Sequence, residues 1–261
     1  MHNAAFAQLG IDARYELCPL EPSELDGFFV AAHGSEWLGF QVTAPYKEEA
    51  IRRCDAIEPG ARRIGAVNSV ARRSDGTLVG FNTDAPGFAR SVRNDLGRDL
   101  SGLAVAVAGA GGAARAVVDA SLEAGAVKVV VGNRSRERAK ALVDSFADAR
   151  LEAMDLGPEF NAWLPSIDLA VNATTVGMTS PGMSFDPGLL PGESSVFDLV
   201  YVPAETPLMA AARTVGVSAI NGAGMLVAQA EIAFERWTGA SGVGPVMRAA
   251  VEPLLMRDAR P

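Results

Sequence analysis

The stretch LAVAVAGAGGAA, residues 103–114, decides the fold of this chain. Its first six residues are apolar, as in a buried strand, and the alanine-rich run beyond them predicts a helix that ends at Glu123. The turn between them reads Gly109-x-Gly111-x-x-Ala114. Gly109 permits the tight turn, Gly111 lets the backbone approach a pyrophosphate at the helix N-terminus, and Ala114 allows close helix–strand packing. The stretch therefore predicts a dinucleotide-binding fold.

Short apolar strands continue to alternate with helices beyond this turn. The pattern predicts strands at Lys128–Val131, Asp168–Val171 and Ser195–Leu199, and helices at Ser135–Phe146, Gly222–Trp237 and Pro245–Leu255. The segment from Ser180 to Ser194 is rich in proline and glycine and predicts a loop. This βαβ rhythm is typical of a parallel sheet covered by helices on both faces.

The part of the chain before residue 101 has a different pattern. It predicts a strand over residues 12–20, a helix with Ser23 as its N-cap, a strand at Gly39–Thr43, a helix from Tyr46 towards Cys54, and a hairpin of Ala66–Ala71 with Leu78–Phe81 around Asp75-Gly76. We therefore expect an α/β protein of two domains with a cleft between them. Residues 1–84 plus 222–261 form the α/β substrate domain, and residues 85–221 form a Rossmann-like, doubly wound dinucleotide-binding domain.

Composition excludes several classes of function. The 261 residues include 23 basic and 31 acidic ones, a net charge of −8, which argues against nucleic-acid binding and requires a local positive cluster for any anionic ligand. His2 and His33 are too few for a zinc site or a histidine-based triad, so we expect no metal. Cys18 and Cys54 lie far apart and predict reduced thiols. No signal peptide and no long apolar stretch is present, which predicts a cytoplasmic protein without a membrane partner.

The residues after the second predicted strand indicate which dinucleotide binds. An NAD site expects an acidic side chain there to accept from the ribose 2′-hydroxyl. This chain instead has a run from Asn133 to Arg138, NRSRER. Guanidinium groups and a hydroxyl suit a 2′-phosphate, so we favour NADP(H), with Arg136 as the arginine that only faces solvent.

Two short segments place polar side chains at the ends of predicted strands. Gln41-Val-Thr-Ala-Pro-Tyr-Lys47 ends in a lysine, and Gly80-Phe-Asn-Thr-Asp84 ends in an aspartate. Hydride transfer to a ketone leaves an alkoxide, which needs a proton or a nearby positive charge. An ammonium beside a carboxylate supplies both. The pair therefore favours a small-molecule oxidoreductase.

The chain is similar to the shikimate dehydrogenase family from about residue 1 to residue 255. The resemblance is carried by Val42-Thr43-x-Pro45-x-Lys47, Gly65-Ala66-Val67-Asn68-Ser69, Asn82-Thr83-Asp84-x-x-Gly87, the glycine turn, Asn133-Arg134-Ser135-x-x-Arg138, Asn172-Ala173-Thr174-Thr175-Val176-Gly177-Met178, Asp198-Leu199-Val200-Tyr201 and Gly224-Met225-Leu226-Val227-Ala228-Gln229-Ala230. It implies an enzyme of aromatic amino-acid biosynthesis that reduces 3-dehydroshikimate to shikimate with NADPH.

The resemblance also implies roles for individual residues. Lys47 and Asp84 become the catalytic pair. The substrate residues are Thr43, Asn68 and Gln229, whose hydroxyl and two amides suit a polyol, and Tyr201, which should lie near the substrate or the nicotinamide. The cofactor residues are Gly109, Ala110, Gly111, Gly112, Ala113, Asn133, Arg134, Ser135, Arg138, Asn172, Thr174, Met178, Gly222 and Met225.

The chain departs from the family pattern in two places. Gln41 stands where family members usually have asparagine, and we expect it to change local packing more than chemistry. The family also begins with a strand and a Ser-x-Ser-Pro carboxylate-binding segment ahead of the stretch that matches Met1 to Phe6. We therefore expect the native polypeptide to be longer, and the 261-residue form to have a high KM or no turnover.

Three readings of the function stay open at this point. The leading one is the NADP-dependent reduction of 3-dehydroshikimate. A quinate or aminoshikimate dehydrogenase would differ at pocket positions that the motifs do not distinguish. A non-catalytic NADP-binding homologue is suggested by the absent serines and opposed by the intact Lys47 and Asp84. A homodimer is one assembly that fits each of them.

Overall fold

The computed structural model describes residues 1–257, so the last four positions of the predicted segment 222–261 lie outside the described residues. The chain divides into two compact units. The first comprises Met1–Pro86 and Val227–Val251, and the second comprises Gly87–Leu226 with the described residues after Val251.

The first unit begins with helices and short strands. In chain order it contains α1 (His2–Leu9), α2 (Leu25–Ala31), β1 (Gly39–Gln41), β2 (Ala56–Ile57), α3 (Pro59–Ile64), β3 (Ser69–Arg72) and β4 (Leu78–Phe81). Helix α4 (Asp84–Leu96) starts in this unit and continues into the second.

The remaining elements follow the βαβ rhythm of the sequence. They are β5 (Ala104–Ala108), α5 (Gly112–Glu123), β6 (Lys128–Asn133), α6 (Arg136–Phe146), β7 (Leu151–Asp155), α7 (Pro158–Asn161), β8 (Leu169–Asn172), β9 (Ser195–Asp198), α8 (Pro207–Thr214), β10 (Ser218–Asn221), α9 (Ala223–Thr238) and α10 (Gly244–Arg257). Most of α9 and the first part of α10 belong to the first unit.

The sheet of the first unit has the order β1-β3-β4-β2. Strand β3 runs antiparallel to both β1 and β4, so β1 and β4 point the same way. One face of the sheet packs on a core whose aromatic rings meet edge to face, with Phe40 against Phe28 and Phe29. A second core lies between α1, α9 and α10, around Phe6 and Phe234.

The sheet of the second unit is parallel throughout, in the order β10-β9-β8-β5-β6-β7. The chain runs outward from β5 to β7 and then returns to β8, which lies on the other side of β5. Strands β5, β6 and β8 are almost wholly buried, as their valine and alanine runs require when helices cover both faces. This is the doubly wound order, in which ligands bind where the winding reverses. The predicted fold class is confirmed.

Three local predictions are wrong, each for a visible reason. Residues 12–20 form no strand, because the N–H and carbonyl of Tyr15 pair with the side chain of Asn3 instead of a neighbouring strand. The helix predicted from Tyr46 shrinks to a short 3-10 turn, since the carbonyl of Lys47 accepts from Val67 and leaves the helical ladder. Ser23 is not an N-cap; it lies inside a 3-10 turn that leads into α2.

No helix within residues 1–257 has the length and apolar character needed to span a bilayer. Over the same residues, no group of three or more histidine, cysteine or acidic side chains could hold a metal ion.

His2 is an unusual residue in the core around α1 and α9. Its ring is 3% exposed and packs on the rings of Tyr15 and Trp237, with centroid distances of 4.5 and 5.0 Å. Burial lowers the pKa of His2 from 6.5 to about 4, with the N-terminal charge acting the same way and the bond to Gln41 opposing it. The ring is therefore neutral in the folded protein at neutral pH.

We predict that His2 makes the first unit sensitive to acid. Between pH 6.5 and pH 4 the His2 ring is protonated in the unfolded protein but still neutral in the folded protein. Stability from this group is complete above pH 6.5 and falls by about 3 kcal/mol as the pH drops to 4. Denaturant unfolding of the wild type and of His2→Leu at several pH values checks this. The variant should lose less stability on acidification, and equal losses would contradict the prediction.

Candidate active site

Three segments of the first unit meet at one edge of its sheet. Because β1 and β4 both run antiparallel to β3, the ends of β1 and β4 lie beside the start of β3. Gln41 is opposite Ser69, and Ser69 is opposite Phe81. The pairing continues past the strands, since the N–H of Val42 donates to the carbonyl of Asn68 at 2.8 Å. The residues that follow β1 and β4 and precede β3 are therefore held together.

Lys47 and Asp84 form an ion pair at this edge. Lys47 Nζ lies 2.6 Å from Asp84 Oδ2, and their side chains are 24% and 12% exposed. The carbonyl of Lys47 accepts from the N–H of Val67 at 2.9 Å, which ties the lysine backbone to the start of β3. Asn82 Oδ1 accepts from the N–H of Asp84 at 2.9 Å and so fixes the first residue of α4. Both charged groups are positioned by backbone contacts.

A buried polar cluster adjoins this pair. Asn68 Oδ1 accepts from the N–H of Thr83 at 2.8 Å, and Asn68 Nδ2 donates to Thr83 Oγ1 at 3.0 Å. Thr83 Oγ1 in turn lies 3.2 Å from Gln229 Oε1. The structure thus joins two predicted substrate residues, Asn68 and Gln229, through a threonine to which the sequence assigned no role. Thr43 is exposed just after β1.

The glycine turn after β5 leaves open space at the start of α5. Gly109 has φ 119°, and a Cβ there would lie 2.8 Å from the carbonyl oxygen of Ala173, so only glycine fits. A Cβ on Gly111 or Gly112 would meet nothing within 4 Å. Gly111 caps α5 without a side-chain bond, so the first N–H groups of the helix remain for a ligand. Ala110 and Ala113 are half-buried in the same turn. This geometry fits a pyrophosphate.

The three arginines that follow β6 differ in the partners of their guanidinium groups. Arg136 forms ion pairs with Glu159 at 2.8 Å and Asp155 at 3.4 Å, across the surface of the second unit. The side chains of Arg134 and Arg138 are exposed, and neither makes a hydrogen bond or ion pair with any residue of the described chain, 1–257. These two guanidinium groups can bind an anion, whereas that of Arg136 is already engaged.

The backbone around these arginines is itself well ordered by hydrogen bonds. Ser135 is the N-cap of α6, and its Oγ accepts from the N–H of Arg138. Asn133 Nδ2 donates to the carbonyl of Ser135 at 2.9 Å. The loop that carries Arg134 is therefore shaped by its own side chains.

The loop after β8 is held by a buried network that the sequence did not reveal. Asn172 Nδ2 donates to Asp198 Oδ1 at 2.8 Å, and Thr206 Oγ1 donates to Asp198 Oδ2 at 2.6 Å. Asn172 Oδ1 accepts from Thr174 Oγ1 at 2.7 Å. Burial raises the pKa of the fully buried Asp198 carboxyl, and its three hydrogen bonds, with the N–H of Val200 as the third, oppose the rise.

Four other predicted residues lie in the second unit. Gly222 follows β10, where a Cβ would lie 2.3 Å from the carbonyl oxygen of Leu199, so the backbones approach too closely for any other residue. Met225 is buried, whereas Met178 and Tyr201 are 57% and 37% exposed. Thr174 Cγ2 is 3.3 Å from the Cβ position of Gly109, which places this loop beside the glycine turn.

Known proteins match the chain over nearly its whole length. Residues 1–70 match the family model of the shikimate dehydrogenase substrate binding domain, and residues 91–179 match that of shikimate / quinate 5-dehydrogenase. A shikimate dehydrogenase (NADP(+)) from Geobacter sp. (strain M21) is 40% identical over 268 residues, covering 100% of this chain and 92% of that protein.

Solved structures of related enzymes also match the chain over nearly its whole length. Shikimate 5-dehydrogenase from Thermus thermophilus, in complex with NADP(H) and shikimate, has a TM-score of 0.86 and 36% identity over 97% of this chain and 92% of its own. Quinate dehydrogenase from Corynebacterium glutamicum, in complex with NAD, has a TM-score of 0.89 and 30% identity over 97% and 92% of the two chains.

Fold, site and matches together define an α/β oxidoreductase that uses a nicotinamide dinucleotide. The chain belongs to the shikimate dehydrogenase family, whose members matched at about 40% identity use NADP(+). The family, the enzyme class and the NADP(H) cofactor predicted from the sequence are confirmed.

We predict that Asp198→Asn weakens binding of NADPH. The new NH2 group would face either Asn172 Nδ2, which can only donate, or Thr206 Oγ1, whose hydrogen would then lose its acceptor. Either orientation removes a hydrogen bond from the network that holds the loop carrying Thr174. Loss of one charged hydrogen bond is worth about 1.4 kcal/mol, a tenfold rise in Kd. A fluorescence titration with NADPH measures it. Asp186→Asn, an exposed cap of a 3-10 turn, is the matched control and should leave Kd unchanged.

Proposed function

We propose that this protein catalyses the reversible NADP-dependent reduction of 3-dehydroshikimate to shikimate, a step of aromatic amino-acid biosynthesis. The observation that carries the proposal is the 2.6 Å contact between Lys47 Nζ and Asp84 Oδ2, at the sheet edge where Asn68 and Gln229 also lie. The relative from Thermus thermophilus was crystallised with NADP(H) and shikimate, which supports both ligands.

In this proposal Lys47 transfers the proton and Asp84 positions Lys47. NADPH, when bound, supplies the hydride to the carbonyl carbon. Charge then develops on the carbonyl oxygen, and the Lys47 ammonium stabilises it and donates a proton to give the alcohol. Asp84 holds the ammonium in place through their 2.6 Å contact. In the oxidation direction the lysine amine accepts the proton from the hydroxyl.

Polar groups of the first unit would select the substrate. Asn68 and Gln229 are amides held by hydrogen bonds to Thr83, and Thr43 presents a hydroxyl near the end of β1. We propose that these groups, with Tyr201, bind the ring hydroxyls and carboxylate of shikimate. A substrate that lacks a hydroxyl would leave buried polar atoms unpaired, so such analogues should be rejected.

The cofactor residues divide by position in the second unit. We propose that the turn Gly109–Ala113 holds the pyrophosphate, and that Asn133, Arg134, Ser135 and Arg138 hold the 2′-phosphate. The nicotinamide side would be lined by Asn172, Thr174, Met178, Gly222 and Met225. Two guanidinium groups at the expected position of the 2′-phosphate, Arg134 and Arg138, have no partner among residues 1–257 and support NADP(H).

We further propose that residues 1–84 with 222–261 form the substrate domain and residues 85–221 the cofactor domain. A biosynthetic reduction needs a supply of NADPH, so we place the protein in the cytoplasm. We propose a homodimer as its assembly, which light scattering on the purified protein would test.

Quinate is the main alternative substrate. The match to quinate dehydrogenase covers 97% of this chain at 30% identity. That protein was crystallised with NAD, whereas Arg134 and Arg138, whose side chains have no partner in the described part of this chain, favour a 2′-phosphate. Rates of reduction of NADP and NAD with shikimate, aminoshikimate and quinate, followed at 340 nm, would separate the activities. Higher kcat/KM with quinate would overturn the proposed substrate.

We predict that Lys47→Ala lowers kcat by at least about a hundredfold, because the general acid and its charge are both lost. NADPH affinity should stay within a factor of two, since Lys47 lies in the first unit and every predicted cofactor residue lies in the second. Steady-state kinetics and a fluorescence titration measure the two effects. Lys140→Ala, an exposed helix lysine paired with Asp144, should change neither. Equal loss of turnover and cofactor affinity would indicate a structural role for Lys47.

We predict that Arg134→Ala and Arg138→Ala raise KM for NADP about tenfold and leave KM for NAD nearly unchanged. Each removes a charged hydrogen bond to the 2′-phosphate, which NAD lacks. Arg136→Ala is the matched control, because its guanidinium already pairs with Glu159 and Asp155. A rise in KM for NADP with the control alone would reverse the assignment.

A further inference from the structure

Asn82, which lies between β4 and α4, forms hydrogen bonds with both ends of its side-chain amide. Its Oδ1 accepts from the N–H of Asp84 at 2.9 Å and from that of Ala85 at 3.4 Å. Its Nδ2 donates to the carbonyl of Ala66 at 3.0 Å. The amide therefore connects the start of α4 to the segment that leads into β3.

The orientation of this amide follows from the backbone groups around it. A backbone N–H can only donate and a backbone carbonyl can only accept. The oxygen of Asn82 must therefore face Asp84, and its nitrogen must face Ala66. The reversed amide would place two donors together at the start of α4 and two acceptors together at Ala66. Only one orientation of Asn82 satisfies these neighbours.

The segment that accepts from Asn82 also holds the backbone of Lys47. Ala66 is followed by Val67, whose N–H donates to the carbonyl of Lys47 at 2.9 Å. Asn82 thus binds the backbone of Asp84 with its oxygen, and with its nitrogen it binds the segment that is bonded to Lys47. These three hydrogen bonds join the backbones of the ion pair in addition to the 2.6 Å contact between its side chains.

Other residues that commonly cap a helix could not make both contacts of Asn82. Serine and aspartate accept from the N–H groups of a helix about as well as asparagine does. An ionised aspartate has no hydrogen to donate to the carbonyl of Ala66, and the hydroxyl of serine is too short to replace both ends of the amide. Asparagine at this position therefore does more than cap α4.

We propose that Asn82 is a positioning residue for the reaction: it fixes the backbones of Lys47 and Asp84 relative to each other, so that the ammonium and the carboxylate meet at the reacting oxygen. The inference rests on the proposed function, because it treats this ion pair as the catalytic one. A displacement of about 1 Å can lower the rate of a catalysed step a hundredfold. Loss of the amide should therefore lower kcat more than it weakens substrate binding.

Asn82→Ser separates the two contacts, because serine retains the cap of α4 and loses the bond to Ala66. We expect kcat with shikimate to fall about fivefold, with KM for shikimate and for NADP within a factor of two. Asn82→Ala loses both contacts, so its kcat should fall about twentyfold and its midpoint of denaturant unfolding should fall further than that of Asn82→Ser. Asn94→Ser, at an exposed position of α4, is the matched control and should change none of these values.

A double-mutant cycle with Lys47→Ala distinguishes positioning from a loss of folded protein. If Asn82 acts through the ion pair, Asn82→Ser should change the residual kcat of Lys47→Ala less than twofold. Equal factors in both backgrounds, or full kcat in Asn82→Ser alone, would overturn the inference, while turnover of shikimate by the wild type upheld the proposed function.

The wild type separates a failure of this inference from a failure of the proposed function. If it oxidises quinate and not shikimate, the proposed substrate is wrong, and the same variants test Asn82 with quinate. If it oxidises neither alcohol, the proposed function and this inference are both overturned. The cycle uses Asn82→Ser alone, so it does not depend on whether Asn82→Ala folds.

Discussion

The candidate active site depends on the pairing of Asn68 with Thr83. Asn68 precedes β3 and Thr83 follows β4. Their two hydrogen bonds, at 2.8 and 3.0 Å, continue the pairing of β3 with β4 beyond the strands and so close this end of the sheet. Both residues are buried, and an unmatched amide there would cost more than the bonds contribute. Asp84 is the next residue after Thr83, and its place beside Lys47 follows from this closure.

The second unit repeats this arrangement with a different partner. Asn172 ends β8 as a buried amide, and the carboxylate of Asp198 and the hydroxyl of Thr174 occupy its two ends. In each unit an asparagine at a strand terminus orders a loop that carries predicted ligand-binding residues. Such networks specify one geometry only when every member is satisfied, which explains the dense bonding around both amides.

The sequence predicted the second unit better than the first. An apolar run such as the one that ends at Ala108 is stable only in a buried strand. Position 109 requires glycine because a Cβ there would collide with the neighbouring backbone. The edge strand β7 was missed because its residues LEAMD, two of which are acidic, do not alternate regularly between buried and exposed positions. In the first unit the strands are short, and tertiary bonds overrode local preference. Tyr15 pairs with a side chain, and the carbonyl of Lys47 with Val67.

Site residues with intrinsic chemistry could be found from the sequence, and those that act through others could not. Lys47 and the arginine run have charge to reveal them. Thr83, Asp198 and Gln41 reveal nothing alone, because their roles come from partners far away in the chain. Gln41, for example, donates to Gln229, which lies 188 positions further along the chain.

The two guanidinium groups after β6 that have no partner among the described residues stand out in a protein of net charge −8. A polyanion approaching from solution is repelled by the molecule as a whole and attracted only over the last several ångströms. Added salt shortens the range of both forces, to about 8 Å at physiological ionic strength. Screening should therefore remove the long-range repulsion before the short-range attraction, and dinucleotide capture should be fastest at moderate rather than minimal ionic strength.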